Sequence, residues 1–397
     1  MQHATRTLSR IPRGVWVLGF VSMLMDISSE MIHSLLPMFL VTSLGLSVLA
    51  VGVIEGIAES TALMTKVFSG VLSDYLGRRK GLALLGYGLG ALSKPVFAMA
   101  TGAGWIVGAR FVDRIGKGIR GAPRDALVAD VTPVELRGAA FGLRQALDTV
   151  GAFTGPLLAV ALMLLWHDDF RAVFWVAVVP GFLAVAVLFF GLHEPANQIT
   201  QRRTNPIRRE ALRRLDKAYW WVVAVGAIFM LARFSEAFLV LRAQGLGIPI
   251  ALVPLVMVAM NVVYAACAYP FGKLADRMSH QTLLTWSLLI LVVADAVLAM
   301  ATHWSVMLAG IALWGIHMGM SQGLLAAMVA DTAPADLRGT AYGFFNLVGG
   351  IAMLVSSVLA GLLWEVWGAP TTFWAGAGFC MAALVVLYAK RTPVPAA

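Results

Sequence analysis

The sequence predicts an all-α integral membrane protein of about twelve transmembrane helices, on three observations. Of its 397 residues 59% are hydrophobic and only 13% charged, against about 25% charged in a soluble globular chain. Apolar runs of about 20 residues, enough to cross about 30 Å of hydrocarbon as a helix, recur from end to end between short polar breaks. They are continuous and lack the period-two alternation of barrel strands.

The segments fall at about 15–42, 49–69, 80–101, 104–128, 136–165, 171–192, 219–243, 250–271, 281–302, 304–330, 339–364 and 370–389. Arg6, Arg10 and Arg13 precede the first, and Arg78, Arg79 and Lys80 follow the second. Seven more bases, Arg202, Arg203, Arg208, Arg209, Arg213, Arg214 and Lys217, separate the sixth from the seventh, while the alternate breaks hold little beyond Arg171 and Arg242. Cytoplasmic loops collect Lys and Arg, so both termini are expected in the cytoplasm. The net charge of +9 is thereby read as topology, and nucleic acid is not an expected partner. The first apolar run is too long for a cleavable signal and has no small-residue cleavage site after it, so it is expected to stay. Cys267 and Cys380 lie within the eighth and twelfth segments and read as small buried side chains, not a disulfide.

The chain repeats itself. DVTPVELRGAAFG from Asp130 matches DTAPADLRGTAYG from Asp331, an offset of 201 residues (331 − 130), and GVLSD from Gly70 matches GKLAD from Gly272 at 202 (272 − 70). Two matches at nearly one offset imply a tandem duplication of six helices. The division is 1–195, a basic cytoplasmic linker 196–217, and 218–397. Six helices plus six, a basic central loop and a GxLxD sequence after the second helix of each half resemble the major facilitator superfamily over essentially the whole chain. The resemblance implies two six-helix bundles that rock about a central cavity.

Three motifs refine it. Gly70, Asp74, Gly77 and Arg78, echoed by Gly272 and Asp276, are similar to the superfamily's signature loop, with Tyr75 where a base is usual. There Gly70 would let helices approach, Asp74 would accept hydrogen bonds from a helix N-terminus of the opposite bundle, and the arginines would stay hydrated, forming a conformational latch. In the fifth segment Gly142, Gly151, Gly155 and Pro156 are similar to the antiporter signature of drug:proton exporters, with Ala159 and Val160 in place of its last glycines. Small residues permit tight helix contact and Pro156 removes a backbone bond; the second half has Gly343, Ala352 and Ser356-Ser357 there and no proline. In the fourth segment Arg110 and Gly116 fit an RxxxGxG pattern whose first glycine is replaced by Arg114.

Ionisable residues at membrane depth are the main functional signal, because each costs about 3 kcal/mol on insertion scales unless it meets a partner or a wet cavity. Asp26, Glu30 and His33 form one stripe on the first segment, with Ser22 and Pro37 to either side. The second segment adds Glu55, Glu59 and Lys66, the third Lys94, the fifth Arg144 and Asp148. Arg110, Asp113, Arg114, Lys117, Arg120 and Arg124 share one face of the fourth, the last three reading as snorkelling or loop residues. Low dielectric tightens a carboxyl's hold on a proton and a nearby arginine loosens it, so Asp26 or Glu30, coupled to Arg110 or Arg114, reads as a proton site. Two alternatives stay open: a static ion network, or a divalent-metal site made of these acids and His33.

The second half is sparser, with Arg233, Glu236 and Asp295 and the neutral polar groups Asn261, Tyr264, His317, Gln322 and Asn346. Of these Arg233, Glu236, Asn261, Tyr264, His317 and Asn346 are the candidate cavity residues. Phe229, Phe234, Phe238, Met257, Met260, Trp286, Trp314, Met318 and Met320 suit a promiscuous apolar pocket or ordinary packing. The resemblance implies a proton-coupled secondary transporter in the cell membrane, a monomer exporting a small organic solute. Proton-coupled uptake of an anionic metabolite, with Arg110 and Arg114 as clamp, and divalent-metal export are the alternatives within transport, and a membrane sensor or scramblase lies outside it. No cofactor and no enzyme activity are expected, since neither a phosphate loop nor a nucleophile and base stand out.

Overall fold

The structure, a computed structural model, describes residues 11–76, 79–193, 214–275, 277–321, 323–334 and 337–389, and of residues 70, 71 and 74–76 the backbone only. Helix accounts for nearly all of it. The elements are α1 Arg13–His33, α2 Val48–Leu76, α3 Arg79–Met99, α4 Ala103–Asp130, α5 Arg137–Leu165, α6 Phe170–Gly191, α7 Lys217–Ala232, α8 Ala237–Gly245, α9 Leu255–Ala275, α10 His280–Met300, α11 Trp304–Ser321, α12 Leu324–Thr332, α13 Arg338–Trp367 and α14 Ala369–Ala389. Taking α7 with α8 and α11 with α12 as single spans leaves twelve, as the apolar runs predict. Among the described residues eleven spans are long and apolar enough to cross a membrane. The exception is α4, whose charges from Arg110 to Asp125 lower its hydropathy although most of them lie inside the protein.

Three spans are interrupted, and two interruptions have a local cause. The first stops at His33 and resumes as short helical stretches, Leu36–Met38 and Phe39–Ser43. Pro37 has no N–H and its ring crowds the carbonyl four residues back, that of His33. Between α11 and α12, Gly323 adopts φ +75, a left-handed conformation that costs other residues about 1–2 kcal/mol. The α7 to α8 break spans Arg233 to Glu236 without proline or glycine, and Ser235 Oγ accepts from the Ala237 amide at 3.2 Å to start the new helix. Further on, α2 continues to Leu76, so Gly70 and Asp74 are helical and not in a loop as the motif suggests. Gly272 is likewise within α9, while Gly77, Arg78 and Asp276 lie outside the described residues.

Packing divides the chain into two units: described residues within Met1–Leu46, Ile57–Pro206 and Ile248–Val258, and those within Ser47–Gly56, Ile207–Gly247 and Ala259–Ala397. In the first, Val15, Leu18, Val21 and Met25 of α1 meet Ala83, Tyr87 and Ala91 of α3 and Ala184 and Leu188 of α6 in a closed apolar core. Glycine sets the crossing of α3 and α4. A Cβ on Gly86 of α3 would lie 2.7 Å from Gly116 O, and one on Gly116 of α4 would lie 2.6 Å from Gly86 O. Backbones in direct contact are the usual solution where lipid offers no hydrophobic drive to associate. In the second unit aromatic rings stack through the interior, with Phe234 centred 5.4 to 5.6 Å from Trp314, Phe373 and Phe238. The first turns of α2 belong to this unit, where the Leu49 amide donates to Glu365 Oε2 at 3.0 Å.

Two contacts at helix ends recur at the offset of the sequence repeat. Arg79 at the start of α3 donates to Asp130 at the end of α4, and His280 at the start of α10 meets Asp331 at the end of α12 at 3.0 Å. Both members of the second pair stand 201 residues after those of the first (280 − 79 and 331 − 130).

Gly116→Val should destabilise the purified protein by about 1–3 kcal/mol or more through overpacking. Gly108→Val, at a position with nothing within 4 Å, should leave the thermal unfolding midpoint in detergent unchanged. Equal midpoints for the two variants would contradict the crossing.

Candidate functional site

Most of the buried ionisable residues of the first unit lie in two clusters against α1. The first joins four helices. Lys94 of α3, with no exposed surface, donates to Asp113 Oδ1 of α4 at 2.7 Å and to Ser29 Oγ of α1 at 3.0 Å. Asp113 Oδ2 also lies 3.5 Å from Arg114 Nε and 3.5 Å from His33 Nε2. Arg114 Nη1 donates to Glu59 Oε1 of α2 at 3.1 Å, while its Nη2 stands 2.7 to 2.8 Å from the His33 ring nitrogens. Glu30 Oε1 lies 3.7 Å from His33 Nδ1. Arg110, buried one turn before Arg114, acts on the same His33 and Glu59.

The second cluster surrounds Ser22. Tyr87 shares a hydrogen bond with Ser22 Oγ at 3.1 Å, and Arg124 Nη1 donates to that oxygen at 3.1 Å. Arg124 and Arg144 both address Asp148 Oδ2, at 3.8 and 2.5 Å, and Arg120 lies over the Tyr87 ring at 4.9 Å. Arg120 and Arg124 are thus interior and not snorkelling residues, because α4 runs unbroken to Asp130 and turns this face inward. Lys117 is exposed, and among the described residues no carboxylate lies within ion-pair distance of it.

Asp26 lies between the clusters, one turn from Ser22 and one from Glu30. Among the described residues it makes neither a hydrogen bond nor an ion pair; the nearest charges in its field are Asp148, Arg120, Lys117 and Glu30. Its position is set by α5. A Cβ on Gly151 would lie 2.9 Å from Asp26 Cβ and 2.7 Å from Met23 O, and one on Gly155 would lie 2.8 Å from Glu30 Cβ and Ile27 O. Two glycines of the antiporter-like motif therefore seat two acids of the α1 stripe, with buried Pro156 beside them. Gly142 is exposed with nothing within 4 Å and has no part in this contact.

Other sequence candidates fall elsewhere. Glu55, one turn from Glu59, is buried in the second unit, where Ser235 Oγ donates to its Oε2 at 3.4 Å. It leaves the first-unit cluster because α2 is shared between the units. Lys66 is exposed. In the second unit Arg233 and Glu236 flank the α7 to α8 break, with the Arg233 guanidinium 5.9 Å from the Phe229 ring centre and both charges acting on Tyr264. His317 is wholly enclosed, with Nδ1 2.9 Å from Ser287 O and its ring against Phe229 at 5.5 Å. Asn261 and Asn346 are half-buried on α9 and α13. Phe229, Phe234, Phe238, Met257, Met260, Trp314 and Met320 are buried, whereas Trp286 points outward. Sequence reasoning missed the roles of Ser22, Ser29 and Tyr87, ordinary residues whose only signal is their place on the α1 stripe or opposite it.

Among the described residues no group of three His, Cys, Asp or Glu side chains is placed to hold a metal ion. Asp113 and Glu59 are directed at bases instead.

The sequence pattern of the Major Facilitator Superfamily matches residues 18–242 and again 223–397. An uncharacterised MFS-type transporter of Methanocaldococcus jannaschii is 33% identical over 371 residues, covering 90% of this chain and 89% of its own. The quinolone resistance protein NorA of Staphylococcus aureus is 23% identical over 360 residues, covering 89% and 90%. Among solved structures, a POT family transporter in complex with 5-aminolevulinic acid superposes with a TM-score of 0.78 at 14% identity, covering 95% of this chain and 96% of that one.

Lys94→Met should destabilise the protein by about 3–5 kcal/mol, because it leaves Asp113 buried without its cation. The double variant with Asp113→Leu should recover much of that loss. Additive losses in a thermal double-mutant cycle would show that the two groups do not depend on each other.

Proposed function

As this chain belongs to the major facilitator superfamily and is a multi-pass membrane transporter, not an enzyme, we propose that it couples inward proton movement to export of a small organic solute. Its two six-helix halves, 1–195 and 218–397, would alternate access to a substrate site, with both termini cytoplasmic. One observation carries the reading: Asp26 stands without an ion pair between two clusters whose other acids engage bases. An acid in that position can load a proton and discharge it when a neighbouring arginine approaches. Arg120 and Lys117, already in its field, are the candidates for that approach. Glu30, His33, Glu59, Arg110, Asp113 and Arg114 would form the relay beside it, and the seating of α1 on Gly151 and Gly155 would transmit movement between α1 and α5.

Export is supported by two relatives known as resistance proteins, the quinolone resistance protein NorA and the multidrug resistance protein MdtH of Photorhabdus laumondii. One charge moved through 100 mV contributes roughly 2.3 kcal/mol, enough for a steep solute gradient without nucleotide. Gly70, Asp74, Gly77, Arg78, Gly272 and Asp276 are proposed as the latch, and Arg233, Glu236, Asn261, Tyr264, His317 and Asn346 as the second half's contribution to substrate binding.

A second reading, exchange or uptake of an organic anion, has its own support. Lys94, Arg110, Arg114 and Arg120 are buried in the first unit, where among the described residues Asp113 is the one acid buried to the same degree, and exposed Lys117 adds a positive charge. One similar solved structure is a human organic anion transporter, at 19% identity and a TM-score of 0.69.

Purified protein in proteoliposomes, with a trapped pH dye, should show proton movement when a lipophilic cation from a test panel is added. Asp26→Asn should abolish it without loss of folded protein. Proton movement driven by organic anions with the opposite sign would select the second reading, and silence across cations, anions and divalent metals would refute coupling. Asp74→Asn should slow the transport cycle while leaving substrate affinity within about twofold, as expected of a group acting on conformational exchange and not on the binding site; a pure affinity loss would count against the latch.

A further inference from the structure

We propose that Asp295, on α10, is a second proton-binding site, enclosed in the second unit and covered by Phe234 at the break between α7 and α8. The side chain has no exposed surface, and among the described residues neither carboxylate oxygen meets a hydrogen-bond donor. Burying an ionised carboxylate without donor or cation is prohibitive, so the proton is the occupant that the site accepts without further room.

The surroundings are shaped to the carboxyl group. A Cβ on Gly376 of α14 would lie 2.6 Å from Asp295 Oδ2 and 3.0 Å from the Phe234 ring, so only glycine leaves space there. Among the described residues none of the charged groups on the neighbouring elements bonds to Asp295. On α11, Trp314 is packed against Phe234 and His317 is held by Ser287, two turns before Asp295 on α10. At the break, Arg233 turns over Phe229 and Glu236 begins α8. On α8, Arg242 donates to the carbonyls of Leu298 and Ala301 at the end of α10, at 3.2 and 2.6 Å. On α12, Asp331 is engaged by His280, and on α14 the thiol of Cys380 lies in the field of Asp295.

Phe234 sits in the one interrupted stretch of this span that has neither proline nor glycine to hold it open. Rearranging the break would move the ring and let water reach the acid, which then exchanges its proton: COOH gives carboxylate and hydronium, and the reverse on closing. A role in transport rests on the coupled reading above. The test does not.

Infrared spectroscopy of the full-length protein in lipid should show a carboxylic-acid carbonyl band at neutral pH that shifts with isotope-labelled aspartate and is missing in Asp295→Asn. The band should persist in Asp26→Asn, which separates it from the other aspartate proposed to bind a proton, and Asp295→Glu should replace it with a band insensitive to the aspartate label, so the assignment does not depend on the folding of one variant. In deuterated buffer the band should exchange slowly, and about tenfold faster in Phe234→Ala, which opens the cover. Two results would overturn the proposal: no protonated-aspartate band attributable to this position, or a band that never exchanges even at alkaline pH, the mark of an inert buried acid. Because no solute is added, either outcome is separate from success or failure of the pH-dye assay.

Discussion

A charge inside a helical membrane bundle persists only where the bundle supplies its partner, and in the first unit that demand sets how closely the helices must approach. Lys94 reaches Asp113 because α3 and α4 touch backbone to backbone at Gly86 and Gly116. Spread those helices by one methyl group and the ammonium and carboxylate separate within low dielectric, where an unpaired charge is costly. The same logic joins α1 to α5. Gly151 and Gly155 remove the side chains that would otherwise displace Asp26 and Glu30.

The consequence is a division of labour along α1. Ser22 and His33 mark the two ends, each anchored in a cluster of bases and acids contributed by α2 through α5. Between the two clusters lies Asp26, which among the described residues has neither a hydrogen bond nor an ion pair. A carrier needs such contrast, since groups fixed in one pairing cannot exchange a proton and groups without structure cannot hold one in place. The three helix interruptions add a different capacity. They free backbone groups near Pro37, Ser235 and Gly323 from the helical hydrogen-bond ladder.

The second unit solves its interior with aromatic packing in place of ion pairs. Rings of Phe229, Phe234, Phe238, Trp314 and Phe373 fill the space. In such surroundings a lone carboxyl such as Asp295 has nothing to compensate its charge. The contrast stands beside a correspondence at the helix ends, where Arg79 with Asp130 and His280 with Asp331 pair at positions 201 residues apart. Interior chemistry differs while these end contacts do not.

Membrane class, twelve spans, duplication and family were determined by sequence alone, because hydrocarbon thickness and the need to satisfy every backbone group leave few alternatives for apolar runs of that length. The α1 stripe was equally legible, since helical periodicity places Asp26, Glu30 and His33 together whatever surrounds them. Partner choice was not. Whether Arg114 meets Glu30 or Glu59, whether Arg124 snorkels or donates to Ser22, and whether Glu55 joins the acids of α1 or Ser235 depend on helix rotation and crossing. Those are settled by small residues on other helices, far away in sequence, and only the tertiary structure brings them into register.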